Sequence, residues 1–130
     1  MKKILVVDDD QEVLETLELI LELGGFEVLG LDNGEEIFDK IEFFEPDLIL
    51  LDISLGHIDG RLLCEQLKAS ANTSYIPILL ISGLYQADEI SSLQHGQDDF
   101  LSKPFQMDVL LEKLATILSK QENENTYKQN

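Results

Sequence analysis

The chain has 130 residues, enough for one domain with a core between two helical layers and too few for a second. Hydrophobic residues make up 44% and charged residues 27%, which excludes a disordered chain and puts the charges mostly on the surface. Nine basic against 26 acidic residues give a formal charge of −17, which repels phosphate backbones and anionic lipid, so the domain itself is expected to bind neither nucleic acid nor membrane.

Met1 to Val7 opens like a signal peptide, but Asp8, Asp9 and Asp10 end its apolar run after four residues. No other apolar run approaches the length of a bilayer span. Cys64 is the sole cysteine, which excludes an internal disulfide or a thiolate metal cluster, and its helical pattern marks it as packing. A cytoplasmic location is expected.

Ile4 to Val7 is aliphatic and β-branched and reads as a buried first strand. A helix follows, with Val13, Leu14, Leu17, Ile20 and Leu21 on one side, Glu12, Glu15, Glu18 and Glu22 on the other, and Gly24-Gly25 as its stop. Phe26 to Leu31 reads as the second strand. Asn33-Gly34 turns into a helix carrying Ile37, Ile41 and Phe44, which Pro46 prevents from continuing.

Leu48 to Leu51 is aliphatic without a polar break and ends in Asp52, the pattern of a central strand covered on both faces. The loop Ser54 to Gly60 supplies Asp59 as the cap of a helix with Leu62, Leu63 and Leu67, and 70–74 is a polar loop. Ile76 to Ile81 is the fourth strand, ending at Ser82-Gly83; a short, weaker helix is predicted from Gln86 to Gln94, with Gly96 closing it. Phe100-Leu101 belongs to a brief fifth strand closed by Lys103-Pro104. Met107, Leu110, Leu111, Leu114, Ile117 and Leu118 stripe a last helix, and the polar stretch 121–130 is expected to fray or be disordered. The domain is therefore predicted to occupy 1–120. Strands alternating with helices predict an α/β, three-layer α/β/α domain with a parallel sheet.

In such sheets ligands bind at the carboxyl ends of the strands. If the first and third strands are neighbours, Asp8 and Asp9 come level with Asp52. Two like charges ~4 Å apart cost about 4 kcal/mol at an effective dielectric of about 20, so the cluster needs counter-charge. Lys103 supplies one charge, and a hard divalent cation with oxygen ligands, magnesium being the natural candidate, supplies the rest. One of the three aspartates suffices to cap the first helix. Three exceed what a cap requires.

V-V-D-D-D, L-I-L-L-D, the D-G seven residues after Asp52, I-S-G and D-D-F-L-S-K-P-F, in that order, resemble the receiver domain of two-component response regulators over about residues 3 to 119. Each motif alone is weak; five in order at strand ends are highly specific. The resemblance implies the sheet order 2-1-3-4-5. It implies that Asp52 is phosphorylated by the phosphohistidine of a sensor histidine kinase or histidine phosphotransfer protein. Such a domain catalyses its own phosphorylation and slow autodephosphorylation rather than conventional turnover. The implied Mg2+ ligands are Asp9, Asp8 through water, Asp52 directly and the Ser54 backbone carbonyl. Lys103 would pair with the phosphoryl group, and the Lys103-Pro104 bond would be cis.

Ser82 stands where the family has a hydroxyl that bonds the new phosphoryl oxygen, and Phe100 where it has an aromatic that turns inward in response. Together they would switch the face of the fourth predicted helix, fifth strand and fifth helix for a downstream output protein or domain. A strand-end hydroxyl and a core aromatic are their plainer readings. Homodimerisation through that face on phosphorylation stays open, as does whether an output domain follows.

The chain departs from the family at Gly56, where proline is usual, and Gly56 is expected to loosen the loop. Leu84, two residues after Ser82, offers no polar atom to orient an attacking water, which implies slow self-dephosphorylation. His57 and His95 read as surface histidines. Among rivals, a dehalogenase-type phosphatase needs an acid where Ser54 stands, and a flavin binder needs a phosphate-cradling loop where Asp8 to Asp10 would repel phosphate. A receiver-fold interaction domain that is never phosphorylated remains the alternative.

Overall fold

The structure is a computed structural model describing residues 1–83 and 95–128, with side chains through residue 123. The parallel sheet contains β1 (Lys3–Val7), β2 (Glu27–Leu31) and β3 (Leu48–Asp52). A separate antiparallel hairpin, β4 (Ser54–Leu55) with β5 (Ile58–Asp59), follows β3. Strands β6 (Ile78–Ser82) and β7 (Asp99–Ser102) complete the sheet in the order β2-β1-β3-β6-β7. With the hairpin set aside, this is the predicted 2-1-3-4-5 order. Helices are α1 (Gln11–Leu23), α2 (Ile37–Phe44), α3 (Gly60–Ala69) and α4 (Met107–Lys128).

Successive strand residues face opposite ways, and here both faces are apolar. Leu5, Val7, Ile49, Leu51, Ile78 and Leu80 pack against Ile37, Ile41 and Phe44 of α2 and Leu63, Cys64 and Leu67 of α3. Ile4, Val6, Leu48, Leu50, Leu79 and Ile81 pack on the other face against Leu14, Leu17 and Leu21 of α1 and Leu110, Leu114 and Leu118 of α4. Each such side chain contributes roughly 1.5–3 kcal/mol on burial. Together they hold the sheet's carboxyl edge as a rigid platform. Burial also pushes the Cys64 thiol up to about 12.

The predicted caps are present. The Asp10 carboxylate accepts from the Glu12 and Val13 amides at 3.0 and 3.4 Å, and Asp59 accepts from Arg61 N at 2.9 Å. Gly24 closes α1, while Glu45 ends α2 at φ 54°.

Two segments differ from the sequence expectation. The loop after β3 is a paired hairpin whose two-residue turn begins at Gly56 with φ 67°, a conformation closed to proline. Gly56 therefore forms a tight turn in place of the usual proline. Helix α4 continues to Lys128, where fraying was expected after residue 120, because no glycine or proline interrupts a run containing the helix formers Gln121, Glu122 and Glu124. The helix predicted at 86–94, and Leu84 before it, lie outside the described residues. Among the described residues no helix is long and apolar enough to cross a membrane.

Candidate functional site

Register brings the acidic residues together. Val7 pairs with Leu51 across β1 and β3, so the next residues, Asp8 and Asp52, stand level at the sheet's carboxyl edge. Both are buried, Asp8 at 1% and Asp52 at 4% exposure, whereas Asp9 is exposed. Carboxylate oxygens of Asp8, Asp9 and Asp52 all lie within 4.8 Å of one another.

The three consecutive aspartates divide their work. Asp10 caps α1, and Asp8 Oδ1 accepts from the Asp10 amide at 2.9 Å, fixing the turn out of β1. Asp52 Oδ1 accepts from Ser54 N at 3.1 Å, which likewise fixes its rotamer. The second oxygen of each buried aspartate turns to Lys103: Nζ lies 3.1 Å from Asp8 Oδ2 and 3.0 Å from Asp52 Oδ2.

Lys103 reaches this position because β7 pairs with β6 through Ser82 and Ser102, and Lys103 N donates to Ser82 O at 2.9 Å. The following Lys103-Pro104 peptide is cis. Gly60, the first residue of α3, donates to Ile53 O at 2.7 Å, and a Cβ there would run into the carbonyl oxygen of Asp52 and the Cα of Ile53. Only a glycine lets α3 start this close to the end of β3.

Burial raises the Asp52 carboxyl to about 6, the Asp8 charge adds to the shift, and the bonds from Lys103 and Ser54 oppose it. Burial works against the Lys103 charge, but hydrogen bonds and attraction from Asp52 and Asp8 outweigh it and raise its pKa. The pocket holds a stable ammonium beside a carboxylate that ionises reluctantly.

The donor set fits a hard divalent cation. Three carboxylates against one ammonium leave two negative charges, which one such ion balances. Oxygens of Asp8, Asp9 and Asp52 gathered within 4.8 Å of one another would supply the hard ligands such an ion takes. Each engaged carboxylate oxygen keeps a second lone pair.

Ser82 is buried at 1% exposure at the end of β6, the strand beside β3, one step beyond the residue paired with Asp52. Phe100 is half-buried against the α2/α3 side of the core, with Lys113 Nζ 6.0 Å from its ring centroid and 3.0 Å from Asp99 Oδ2. Ser54 lies in β4, beside Asp52. The histidines are peripheral: His57 Nε2 meets Glu35 at 3.0 Å and His95 Nδ1 meets Glu65 at 3.2 Å.

One supporting pair escaped the sequence. Lys68 Nζ donates to Ile76 O at 2.7 Å and to Asp98 Oδ2 at 3.1 Å, and the same Asp98 oxygen accepts from Ile78 N at 2.8 Å. This knot ties α3 and the entry of β7 to β6. Asp98 was visible only as part of a motif, and the bond spans 30 positions in sequence.

The fold is a doubly wound α/β domain with an acidic, lysine-bridged pocket at the switch of strand order, the edge where domains of this class bind their ligands. A family model described as the response regulator receiver domain matches residues 4–115, and the chain belongs to that family. The chain is 36% identical over 122 residues to the alkaline phosphatase synthesis transcriptional regulatory protein PhoP of Bacillus subtilis, covering 93% of this chain and 50% of that protein. It is 32% identical over 124 residues to the sensory transduction protein BceR of Halalkalibacterium halodurans, covering 95% and 52%. The chain thus spans about half the length of these relatives.

Among solved structures, a CheY-like receiver domain protein from Methanospirillum hungatei superposes with a TM-score of 0.86 at 33% identity, covering 95% of this chain and 98% of that one. The BeF3-activated N-terminal receiver domain of Klebsiella pneumoniae RstA gives 0.80 at 33% identity, covering 90% and 98%.

Proposed function

We propose that Asp52 accepts a phosphoryl group from the phosphohistidine of a sensor histidine kinase or histidine phosphotransfer protein in the cytoplasm. A carboxylate oxygen of Asp52 attacks phosphorus as the P–N bond breaks. The bonding pair leaves on the imidazole nitrogen, which takes up a proton, and Asp52 becomes an acyl phosphate.

The observation that carries this reading is the single ammonium of Lys103 held 3.0 Å from Asp52 and 3.1 Å from Asp8. Phosphoryl transfer needs in-line placement and neutralisation of charge on the moving oxygens. Lys103 supports both. Its side chain is positioned to pass from the Asp52 carboxylate to a phosphoryl oxygen formed on that carboxylate. Asp8, Asp9, Asp52 and the Ser54 carbonyl would hold Mg2+, which when bound adds positive charge against the phosphoryl oxygens.

Ser82 would then donate its hydroxyl to the phosphoryl group, and Phe100 would follow it inward. That change would alter the face carrying β7 and α4 for an output partner, with phosphorylation-dependent pairing of two copies as one form of readout. The apolar Leu84 gives the acyl phosphate slow hydrolysis.

Incubation with acetyl phosphate and Mg2+ followed by intact mass measurement tests the proposal. Wild type gains one phosphoryl mass and Asp52→Asn gains none; equal labelling of both, or none in either, overturns the assignment. Beryllofluoride with Mg2+ separates a phosphorylation switch from a phosphorylation-independent docking domain, because only the former changes its amide spectrum around Ser82 and Phe100.

A further inference from the structure

We propose that a groove at the opposite end of the sheet from Asp52 docks an arginine-bearing segment of a partner protein. The groove lies between α2 and the connection from α3 to β6, encloses about 490 Å3, and is lined in part by Phe38, Glu42, Glu45, Thr73 and Tyr75. Both elements lead into strands here, α2 into β3 and the connection into β6, so the groove sits at the strands' amino ends.

Its chemistry is selective. Residues 38, 41, 42 and 45 share one face of α2 and its cap, at i, i+3, i+4 and i+7. Ile41 faces the core, while Phe38 is 42% exposed on the near wall and Tyr75 67% exposed on the far one. Two aromatic side chains left open to solvent beside carboxylates form a receptor for a cation with a flat, weakly hydrated surface. Guanidinium fits that description better than ammonium.

The two glutamates here stand at the helix end that disfavours them. A helix's carboxyl end favours cations, yet the last turn of α2 has no basic residue, and Glu42 and Glu45 cluster there. Lys3 Nζ donates to Phe44 O, the last carbonyl of α2, at 3.2 Å and lies 5.5 Å from the Phe44 ring centroid, so this ammonium serves the helix backbone and not the two glutamates. Lys68, on the other side, is committed to Ile76 O and Asp98. Among the described residues neither Glu42 nor Glu45 has a salt-bridge partner. A docked guanidinium would answer both the carboxylates and the exposed rings.

A second copy of this chain is a poor match, because its one arginine, Arg61, already pairs with Asp59 at 2.8 Å. A partner of opposite charge character is the better match for a chain of net charge −17. This docking is independent of the phosphorylation proposed above, because its residues sit at the other end of the strands.

Amide spectra of the full 130-residue chain, titrated with acetyl-Ala-Arg-Leu-Arg-Ala-amide, test the proposal. Shifts are expected to cluster at 38–45 and 70–75, and the same peptide with glutamine for arginine should leave the spectrum unchanged. Glu42→Gln/Glu45→Gln, and separately Tyr75→Ala, should weaken binding about tenfold, while the equally discharged control Glu22→Gln/Glu27→Gln changes it less than about twofold. General attraction to an acidic surface would instead spread shifts along α1 and weaken both double variants alike, overturning the proposal. Absence of binding at millimolar peptide, or groove shifts that follow protein concentration without peptide, would overturn it as well, the latter because a second copy then fills the site.

Discussion

Lys103 Nζ lies 3.0 Å from Asp52 Oδ2 although 51 positions separate the two residues in sequence. Neither side chain makes sense alone: the carboxylate is buried and the ammonium has left most of its water. Removing either one exposes how the other was stabilised, and pH and divalent cations should modulate the result.

Asp52 is raised from 3.8 to about 6 by burial and then by Asp8. The folded state therefore holds this proton more tightly than the unfolded chain, and the group's contribution to stability declines as pH rises between those values. Without divalent ions, Asp52→Asn should gain roughly 1–2 kcal/mol at pH 7.5, a gain held down because the Lys103 contact weakens. Urea unfolding should show the gain shrinking toward pH 4.5; a gain that stays constant with pH would rule out this origin.

Lys103→Met leaves Asp8 and Asp52 facing each other without their ammonium. A loss of about 2–4 kcal/mol is expected at pH 7.5 in chelator, smaller near pH 5, where protonation of Asp52 relieves the repulsion. In wild type the raised Lys103 pKa makes the pair's contribution complete at neutral pH and lost only in strong alkali, as pH passes the folded value. Denaturant titrations at both pH values check this.

Magnesium should raise the melting temperature of wild type, since a cation bound only by the native pocket stabilises it by mass action. Asp9→Asn, at an exposed position, should leave the metal-free melting temperature nearly unchanged while weakening Mg2+ binding about tenfold, because affinity follows ligand charge. Melting curves across a magnesium series separate the two effects.

Gly60→Ala should cost about 3 kcal/mol or more, because the added methyl meets backbone atoms of Asp52 and Ile53 that cannot turn aside. Gly83→Ala serves as the comparison: its Cβ would stand 3.4 Å from the Lys103 Cβ, ordinary contact, and should cost far less. Thermal unfolding of the two variants decides it.

The sheet was legible because its strands are short, aliphatic and ended by polar residues. Asp52 closing Leu48 to Leu51, and Asp8 closing Ile4 to Val7, mark one edge by pattern alone. A cap among Asp8 to Asp10, which the structure assigns to Asp10, and the cap at Asp59 followed from local chemistry that acts within three residues. What escaped depended on distance or on a missing signal. The Lys68–Asp98 knot joins positions 30 apart, and nothing in the local pattern links them. The β4–β5 hairpin is only two residues per strand, too short for alternation to register, and its turn rests on the φ of Gly56. The end of α4 was misplaced because an apolar stripe reports where a helix is packed, not where it stops.

Cys64 has zero exposure on the inner face of α3, and burial pushes its thiol up to about 12, so at neutral pH it presents almost no thiolate to a reagent. Native protein should therefore pass through maleimide treatment unmarked. A single cysteine introduced at an exposed position becomes the only labelled atom in the molecule, and dyes or spin probes can be attached to either end of the sheet without first deleting the natural residue.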